Sequence, residues 1–359
     1  MIAYGVFGDE RRPGARIDDR VLDLRAAEAD LPVPPGTFAQ PSLNAFMALG
    51  REAWSAVRER LRDLEGTVRM KGLSLHMPFE VADYVDFYSS RAHAENMGRL
   101  FRPDADPLPP NWLYLPIGYH GRSGTVVVSG TPITRPKGQL KPPDGPPTYA
   151  PTRRLDIELE LGFVVGTPSR LGESVSTADA LDHVFGVVLV NDWSARDIQS
   201  WEFQPLGPCL GKSFATSISP WVVPLEELTR VTAEPQDPPP LDYLSLPETL
   251  AFDIDLDVRL SGEPISRTNA RNLYWSIEQQ VAHLTANGAS LRTGDLLASG
   301  TISGPTPDSV GSLIELTRNS AEPIQLSDGT TRTFLEDGDE VTLRGAGLGE
   351  VSGRILPAT

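Results

Sequence analysis

Three acidic residues, Asp156, Glu158 and Glu160, alternate with apolar residues along a segment that ends at Leu161. In a β-strand, this alternation places all three carboxylates on one face. A solvated acidic face is one interpretation, but neighbouring like charges repel each other and a bound cation is the usual reason for gathering them. Carboxylate oxygens suit hard cations such as Mg²⁺ and Ca²⁺, whereas the sequence lacks the clustered Cys or His that zinc prefers.

A second group of polar residues follows the apolar segment 185–191, which predicts a strand running into a helix. In that helix, Asp192, Arg196, Gln199 and Phe203 would share one face because their spacing follows the helical repeat. The face would carry a carboxylate, a guanidinium, an amide and an aromatic ring, where a core-facing helix would carry aliphatic side chains. An Asp–Arg pair on a solvated helix is the alternative interpretation.

A third group could supply an acid–base pair. Asp86 and Tyr88 share a predicted strand face, and Ser90 is placed to cap the helix that follows. His93 then lies in the first helical turn, where the helix dipole favours a neutral imidazole that can accept a proton. Glu315 interrupts an otherwise apolar segment, and a buried carboxylate needs a partner, for which a histidine is suited. The alternative is a purely structural role for His93.

Two glycine-flanked polar turns would present Lys212 and Thr301 to a ligand. The only cysteine, Cys209, precedes Lys212 in the first of these turns. A thiol nucleophile needs an activating base or positive charge, and no histidine lies near Cys209 in the sequence, which makes a cysteine hydrolase the weaker alternative. One cysteine cannot form an intrachain disulfide, which fits a reducing compartment.

Charge and hydropathy exclude two classes of partner. The formal net charge of −16 over 359 residues repels phosphate backbones and anionic membranes, so we expect no nucleic-acid and no membrane partner. Residues 1–12 lack the apolar core of a signal peptide, and the longest apolar run, 184–190, is too short to span a bilayer. We therefore expect a soluble, cytoplasmic protein.

The element pattern predicts a mainly β protein with two units, a small one over residues 1–78 and a larger one over 79–359. Helical spacing occurs over 41–64 in the first unit. In the second unit, strands are predicted over 125–129, 157–165, 185–191, 252–260, 295–299, 312–317 and 340–344. Helices are predicted there over about 90–100, 177–184 and 272–287, with a long loop over 132–152 and a proline-rich excursion over 233–248.

Five motifs combine these segments, namely DFYSS at 86–90, LPIGYHGR at 115–122, NDWSARDIQ at 191–199, PLGP with GKSF within 205–214, and LASGTISG at 297–304. In this order they resemble the fumarylacetoacetate hydrolase family. The resemblance covers nearly the whole chain, more loosely over 1–75, and the combination of 86–90 with 191–199 is highly specific.

This resemblance implies a small N-terminal β-barrel-like (SH3-like) domain, a larger mixed β-sandwich roll, and a homodimer. It also implies metal-dependent hydrolysis of the C–C bond of a β-diketo acid, 4-fumarylacetoacetate, to fumarate and acetoacetate, the last step of tyrosine and phenylalanine catabolism. The alternatives are a related acylpyruvate or β-diketone hydrolase or 2-oxo acid decarboxylase on the same scaffold, and a non-catalytic cation-binding β protein.

The resemblance further implies a role for each matching residue. The Mg²⁺ or Ca²⁺ ligands would be Asp86, Glu158, Glu160 and Asp192, and positions associated with a second cation would be Lys212 and Thr216. His93 would be the general base, oriented by Glu315. The groups around the developing oxyanion would be Arg196, Gln199 and Lys212, and the substrate contacts would be Tyr88, Arg102, Tyr119, Gln199, Phe203 and Thr301.

Two positions qualify this assignment. A protonated Lys212 has no lone pair, so near a cation we expect a backbone or structural role for it. Phe203 stands where the family usually has tyrosine, and the missing hydroxyl removes a hydrogen bond to substrate worth about 1 kcal/mol.

Overall fold

Short strands separated by turns make up most of the regular structure, as the 32 glycines and 33 prolines favour. The computed structural model describes residues 1–359. The strands are β1 (Ile2–Phe7), β2 (Arg12–Ile17), β3 (Arg20–Asp23), β4 (Val68–Arg69), β5 (Leu75–His76), β6 (Tyr84–Phe87), β7 (Gly118–His120), β8 (Val126–Val128), β9 (Ile133–Thr134), β10 (Lys137–Leu140), β11 (Thr148–Pro151), β12 (Leu155–Asp156), β13 (Leu159–Val165), β14 (Val184–Asp192), β15 (Ser194–Ala195), β16 (Thr216–Ile218), β17 (Trp221–Val222), β18 (Arg230–Thr232), β19 (Leu250–Phe252), β20 (Asp255–Leu260), β21 (Glu263–Asn269), β22 (Leu296–Ala298), β23 (Ile324–Gln325), β24 (Thr331–Arg332), β25 (Glu340–Gly345) and β26 (Gly349–Leu356).

The helices are few and short. They are α1 (Asn44–Met47), α2 (Arg51–Leu61), α3 (Arg91–Phe101), α4 (Ala180–His183), α5 (Arg196–Glu202), α6 (Ile277–Thr285) and α7 (Leu313–Leu316). Ser90 caps α3 by accepting a hydrogen bond from the backbone N–H of His93, as its position before the helix predicts. No helix combines the length and the apolar character that crossing a lipid bilayer requires.

Three large sheets carry the fold and confirm the mainly β prediction. The first has the strand order β17-β1-β2-β3-β4, with β5 also paired to β1. The central sheet has the order β7-β6-β22-β13-β14-β16-β8, and a five-stranded sheet has the order β21-β20-β25-β26-β9. Neighbours are antiparallel except at β22–β6, β16–β8 and β26–β9, which are parallel. The first sheet thus takes its edge strand, β17, from the second half of the chain.

The central sheet is buried on both faces. Leu161 and Phe163 of β13 point to one side and join the apolar cluster that includes Leu343 of β25. Val164 and Val190 point to the other side and join the cluster that includes Phe46 of α1. Strands buried on both faces read as near-continuous apolar runs, so any carboxylate among them needs a partner.

One predicted strand is wrong: residues 312–317 contain helix α7 instead. A short apolar run fits either a strand or a helix by its pattern alone. The helix forms here because the side chain of Asp156 accepts hydrogen bonds from the backbone N–H groups of Leu313 and Ile314, which the first turn of a helix leaves free.

Other predictions also need correction. The helices predicted over 177–184 and 272–287 begin later, at Ala180 and Ile277. The segment 132–152 is no loop, because β10 pairs with β11 in a hairpin that its Pro- and Gly-rich composition hides. The predicted strands 157–165 and 252–260 begin later, at Leu159 and Asp255. Asp192 ends β14 and so lies outside helix α5, which begins at Arg196; the shared helical face joins only Arg196 and Gln199.

Candidate active site

Five strands of the central sheet bring polar side chains to the same end of one face. The register pairs Tyr119 of β7 with Asp86 of β6, and Asp192 of β14 with Thr216 of β16. Glu160, at the start of β13, lies between these two pairs in the strand order. Because side chains alternate between faces, these residues continue the face that Val164 and Val190 fill further along the sheet. The sheet therefore assembles the group from positions far apart in sequence.

We call Asp86, Glu158 and Glu160 the carboxylate centre. Each is buried, and one oxygen from each lies within 4.8 Å of the others. Burial, followed by the neighbouring negative charges, holds the pKa of Asp86 and of Glu160 well above their ordinary values. Asp86 Oδ1 and Glu160 Oε1 have no hydrogen-bond partner, although buried polar atoms are nearly always paired. Unpaired oxygens in a buried acidic cluster fit a hard divalent cation.

The backbone of Gly300 lies close to Glu160 and positions its carboxylate. The N–H of Gly300 donates to Glu160 Oε2 at 3.1 Å, leaving Oε1 free. Gly300 has φ of +77°, and a Cβ at this position would lie 2.1 Å from the carbonyl oxygen of Phe87. Only glycine fits both conditions without strain, so the glycine-flanked turn predicted to present Thr301 also orients Glu160.

Two cations of the protein hold Glu158. Arg196 Nη1 donates to Glu158 Oε1 at 2.7 Å, and Lys212 Nζ donates to Glu158 Oε2. Burial alone would raise the pKa of Glu158, but Lys212 and Arg196 outweigh it and hold the pKa well below its ordinary value. Glu158 is therefore ionised, while Asp86 and Glu160 carry the unpaired oxygens.

Asp192 and Lys212 lie beside the carboxylate centre and are joined to it by hydrogen bonds. Tyr119 Oη bridges Asp86 Oδ2 at 2.7 Å and Asp192 Oδ2 at 3.1 Å. Lys212 Nζ lies 2.8 Å from Asp192 Oδ2, and Thr216 Oγ1 donates to Asp192 Oδ1 at 2.7 Å. Burial would lower the pKa of Lys212, but Asp192 and Glu158 outweigh it and raise it. The Lys212 side chain is thus an ammonium donor and cannot be a metal ligand.

His93 and Glu315 form the expected pair. His93 Nδ1 lies 2.7 Å from Glu315 Oε2, and both side chains are buried. Burial alone would raise the pKa of Glu315, but His93, with hydrogen bonds from Ser312 and Asn96, holds it below its ordinary value. An ionised carboxylate only accepts hydrogen bonds, so the proton of a neutral His93 resides on Nδ1. His93 Nε2 is then the atom that can take a proton.

Two further buried hydrogen-bond donors are unpaired and could bind a ligand. Arg196 Nη2 and Thr301 Oγ1 are buried and have no hydrogen-bond partner. The other nitrogens of Arg196 are occupied, and Nη1 also approaches Gln199 Oε1 at 3.2 Å. An N–H left free while its neighbours are fixed is a preorganised donor for a developing negative charge.

Three of the predicted substrate contacts, Tyr88, Arg102 and Phe203, differ in exposure. The ring of Tyr88 packs edge-on against His93 with centroids 5.3 Å apart, and burial raises the pKa of its hydroxyl. Arg102 follows α3 on the surface, where its guanidinium donates to the carbonyl of Pro107 at 2.8 Å. Phe203 follows α5 and is half exposed. Tyr88 thus lies beside the proposed base, Arg102 and Phe203 are exposed, and the substrate contacts of all three remain predictions.

The sequence interpretation missed the residues that hold Glu315. Ser303 Oγ lies 3.0 Å from both Glu315 oxygens, Asn96 Nδ2 donates to Oε1 at 3.0 Å, and Ser312 Oγ donates to Oε2 at 2.7 Å. Two signals were available. Asn96 follows His93 by one helical turn, and Ser312 precedes Glu315 with capping-box spacing.

The fold and the site define the class of protein: a mainly β hydrolase with a histidine–carboxylate pair and a buried carboxylate centre that could hold a metal ion. The family models agree with this class. The model described as "Fumarylacetoacetase N-terminal" matches residues 2–74, and "Fumarylacetoacetate (FAA) hydrolase C-terminal" matches 83–356. The chain belongs to the fumarylacetoacetate hydrolase family.

Individual relatives match over nearly the whole chain. Fumarylacetoacetase of Homo sapiens is 47% identical over 399 residues, covering 99% of this chain and 95% of that protein. Fumarylacetoacetase of Arabidopsis thaliana is 46% identical over 400 residues with the same coverage, and that of Caenorhabditis elegans is 43% identical, covering 99% and 96%.

Solved structures share the fold at low identity. Fumarylacetoacetate hydrolase from Exiguobacterium antarcticum aligns with a TM-score of 0.61 and 17% identity, covering 99% of this chain and 100% of that one. Maleylpyruvate hydrolase from Sphingobium sp. SYK-6, in complex with manganese(II) and pyruvate, aligns with a TM-score of 0.56 and 15% identity at the same coverage.

Proposed function

We propose that the protein hydrolyses the C–C bond of 4-fumarylacetoacetate to fumarate and acetoacetate, the last step of tyrosine and phenylalanine catabolism. The observation that carries the proposal is the buried His93–Glu315 pair, with Nδ1 2.7 Å from Oε2, in a protein that also has a buried carboxylate centre able to hold a metal ion. Relatives that bear the name fumarylacetoacetase, 43–47% identical over 99% of the chain, support the choice of substrate.

We propose Mg²⁺ or Ca²⁺ at the carboxylate centre, with Asp86, Glu160 and Glu158 as ligands and Asp192 completing the set. The support is the pair of unpaired oxygens, Asp86 Oδ1 and Glu160 Oε1, and the all-oxygen donor set. A bound divalent cation supplies positive charge that polarises a carbonyl and favours departure of an enolate. Thr216 is bonded to Asp192, so any second-cation role for it would act through that carboxylate.

The chain's own residues account for proton transfer. A neutral His93, with Nδ1–H donated to Glu315, presents Nε2 to remove a proton from water. Glu315 then stabilises the imidazolium that forms, and Nε2–H can return the proton to the departing carbon. Burial of this pair keeps competing water from its hydrogen bonds.

The negative charge that develops on the oxygen of the attacked carbonyl needs hydrogen-bond donors to stabilise it. Arg196 Nη2 is free and buried, and Lys212 Nζ has one N–H left after bonding Glu158 and Asp192. Gln199 is held against Arg196, and it would add an amide donor. These groups would stabilise the tetrahedral oxyanion. Thr301, Tyr88, Tyr119 and the half-exposed Phe203 would contact the substrate, and Arg102 would pair with a substrate carboxylate after releasing Pro107.

The direct assay follows loss of fumarylacetoacetate absorbance with purified protein and added Mg²⁺ or Ca²⁺. Acylpyruvates and 2-oxo acids are the control substrates for the related activities. We expect turnover of fumarylacetoacetate in preference to both. Faster turnover of an acylpyruvate would reassign the substrate, and cation-dependent melting without any turnover would favour a cation-binding protein.

We also propose a homodimer, a cytoplasmic location, and units bounded at 78/79. The homodimer rests on the family resemblance, and the cytoplasmic location on the single exposed cysteine, Cys209. The boundary at 78/79 rests on the sequence, in which polar residues begin to appear within apolar stretches at this point. Light scattering of the purified protein would test the dimer, cell fractionation the location, and limited proteolysis the boundary.

A further inference from the structure

Asp156 is a buried carboxylate that the proposed mechanism does not use. Its sequence pattern groups it with Glu158 and Glu160, but β12 ends at Asp156 and its oxygens bond elsewhere. Oδ2 accepts from Arg196 Nε at 2.8 Å and from the backbone N–H of Ile314 at 3.1 Å. Oδ1 accepts from the N–H of Leu313 at 2.7 Å. One carboxylate therefore contacts both Arg196 and helix α7.

The contact with α7 replaces a normal helix cap. Ser312 occupies the cap position, but its hydroxyl makes no cap hydrogen bond and donates to Glu315 instead. The first N–H groups of α7 would then be unpaired in a buried environment, which is costly. Asp156 accepts from them, and the helix that it caps carries Glu315.

The contact with Arg196 fixes the direction of a free donor. Asp156 holds Nε and Glu158 holds Nη1, so the planar guanidinium is bonded at two corners. Nη2 is the corner that remains unpaired. A guanidinium bonded at only one corner would be free to rotate, and the position of Nη2 would be lost.

We propose that Asp156 is a positioning residue that holds the Nη2 donor of Arg196 and the Glu315-bearing helix in fixed relation to each other. It makes no hydrogen bond to the carboxylate centre or to His93, and acts on turnover through Arg196 and Glu315. This inference rests on the proposed hydrolysis for its kinetic effect, whereas its effect on the His93–Glu315 pair requires no substrate.

The test uses Asp156→Asn, Asp156→Glu and the control Asp197→Asn. The asparagine keeps the size of Asp156 but turns an N–H₂ toward donors, either Arg196 Nε–H or the N–H groups of α7. The glutamate keeps the charge but adds a methylene between the two partners. The side chain of Asp197, the next residue after Arg196, accepts hydrogen bonds from Thr152 and from the N–H groups of Arg153 and Ile198, and makes none with the Arg196 side chain or with α7.

Two quantities are measured: kcat with fumarylacetoacetate, and the downfield proton NMR signal of His93 Nδ1–H, assigned by its loss in His93→Ala. We expect both Asp156 variants to lower kcat, by about 100-fold for asparagine, with KM little changed, and to shift the signal. The control should change neither.

Wild-type kcat or an unshifted signal in a folded Asp156 variant would overturn the inference. If the asparagine variant does not fold, the glutamate variant decides, because full activity there would show that only the charge matters. An inactive wild type would overturn the proposed function instead, and the NMR comparison would still test the position of α7.

Discussion

Two groups of buried carboxylates lie within the same site and differ in how they are paired. Glu315 accepts hydrogen bonds from His93, Asn96, Ser303 and Ser312, and its pKa is held below the ordinary value. Asp86 and Glu160 each keep an unpaired oxygen, and burial raises the pKa of both. We call Glu315 with its four hydrogen-bond donors the complete group, and Asp86 and Glu160 the incomplete carboxylates.

This difference separates what the chain completes by itself from what it leaves for a ligand. A fully paired Glu315 is ionised in the folded protein and needs nothing further. The incomplete Asp86 and Glu160 make the cation-free centre costly, because like charges are buried together and Lys212, already paired with Glu158 and Asp192, offsets them only in part. Breaking each group should therefore have opposite effects on stability and different effects on activity.

The largest effect is expected from Glu160→Gln. It removes one of the incomplete carboxylates, so cation binding should be lost and activity should fall to background, by about 1000-fold or more. The variant should nevertheless melt at a higher temperature than cation-free wild type, because a buried repulsion is relieved. Calorimetry and turnover check both effects, with Glu173→Gln, an exposed acid, as the control. A variant that keeps its cation and its activity would contradict the assignment.

His93→Ala should reduce turnover by roughly 10²–10⁴-fold, the usual range for loss of an acid–base group. Its cation content should equal that of wild type, because His93 belongs to the complete group. His76→Ala, whose ring bonds the carbonyl of Gly8 in the first sheet, is the matched control. Metal analysis beside the kinetic assay separates the two groups, and undiminished turnover would remove His93 as the base.

Ser312→Ala removes only one of the four hydrogen-bond donors to Glu315. Loss of one donor should raise the pKa of Glu315 and reduce turnover near neutral pH by about tenfold. The acid limb of the kcat profile should therefore move to higher pH. A carboxyl pKa that is lower in the folded than in the unfolded chain stabilises the fold at pH values above the unfolded-state pKa. The variant should therefore be less stable than wild type at neutral pH, and this difference should vanish in acid. An acid limb that stays in place would contradict the role of Ser312.

The cation should stabilise the fold more at pH 8 than at pH 5. The raised pKa values of Asp86 and Glu160 mean that protons compete for these oxygens at higher pH than for ordinary carboxylates. At 100 times its Kd, a cation adds about 2.7 kcal/mol, and Kd should weaken as the pH falls. Thermal melts with and without Mg²⁺ or Ca²⁺ at both pH values measure this, and an equal gain at both would contradict it.

The smallest effect is expected from Phe203→Tyr, at a half-exposed position after α5. A hydroxyl that regains one hydrogen bond to substrate, worth about 1 kcal/mol, should lower KM by about fivefold and leave kcat and cation affinity unchanged. Phe101→Tyr, at another exposed aromatic position, is the control. If KM does not change, the hydroxyl of the family tyrosine has no role in this chain.

The sequence predicted the chemistry of the site better than its local structure. Alternation and the ordered motifs identified Glu158, Glu160 and His93 with its partner Glu315, and the structure groups the first two and pairs the last two. The apolar pattern around Glu315 could not distinguish a strand from a short helix, because the cap that selects the helix comes from Asp156, far away in the chain.

The distinction between complete and incomplete carboxylates could not be read from the sequence. Asp156 and Glu158 lie two residues apart in one alternating pattern, but the strand is interrupted between β12 and β13. Both accept from Arg196, yet the second partner of Asp156 is helix α7 and that of Glu158 is Lys212. Pairing depends on which side chains the sheet order brings near, such as Tyr119 beside Asp86. That order is a property of the whole fold, which local periodicity does not contain.

The central claim is that the incomplete carboxylates hold a divalent cation needed for hydrolysis. Turnover of fumarylacetoacetate by protein stripped with a chelator, before and after adding Mg²⁺ or Ca²⁺, tests it most directly. We expect no turnover in the stripped protein and recovery that saturates with either or both cations. Full turnover by the stripped protein, confirmed to be free of metal, would contradict the account.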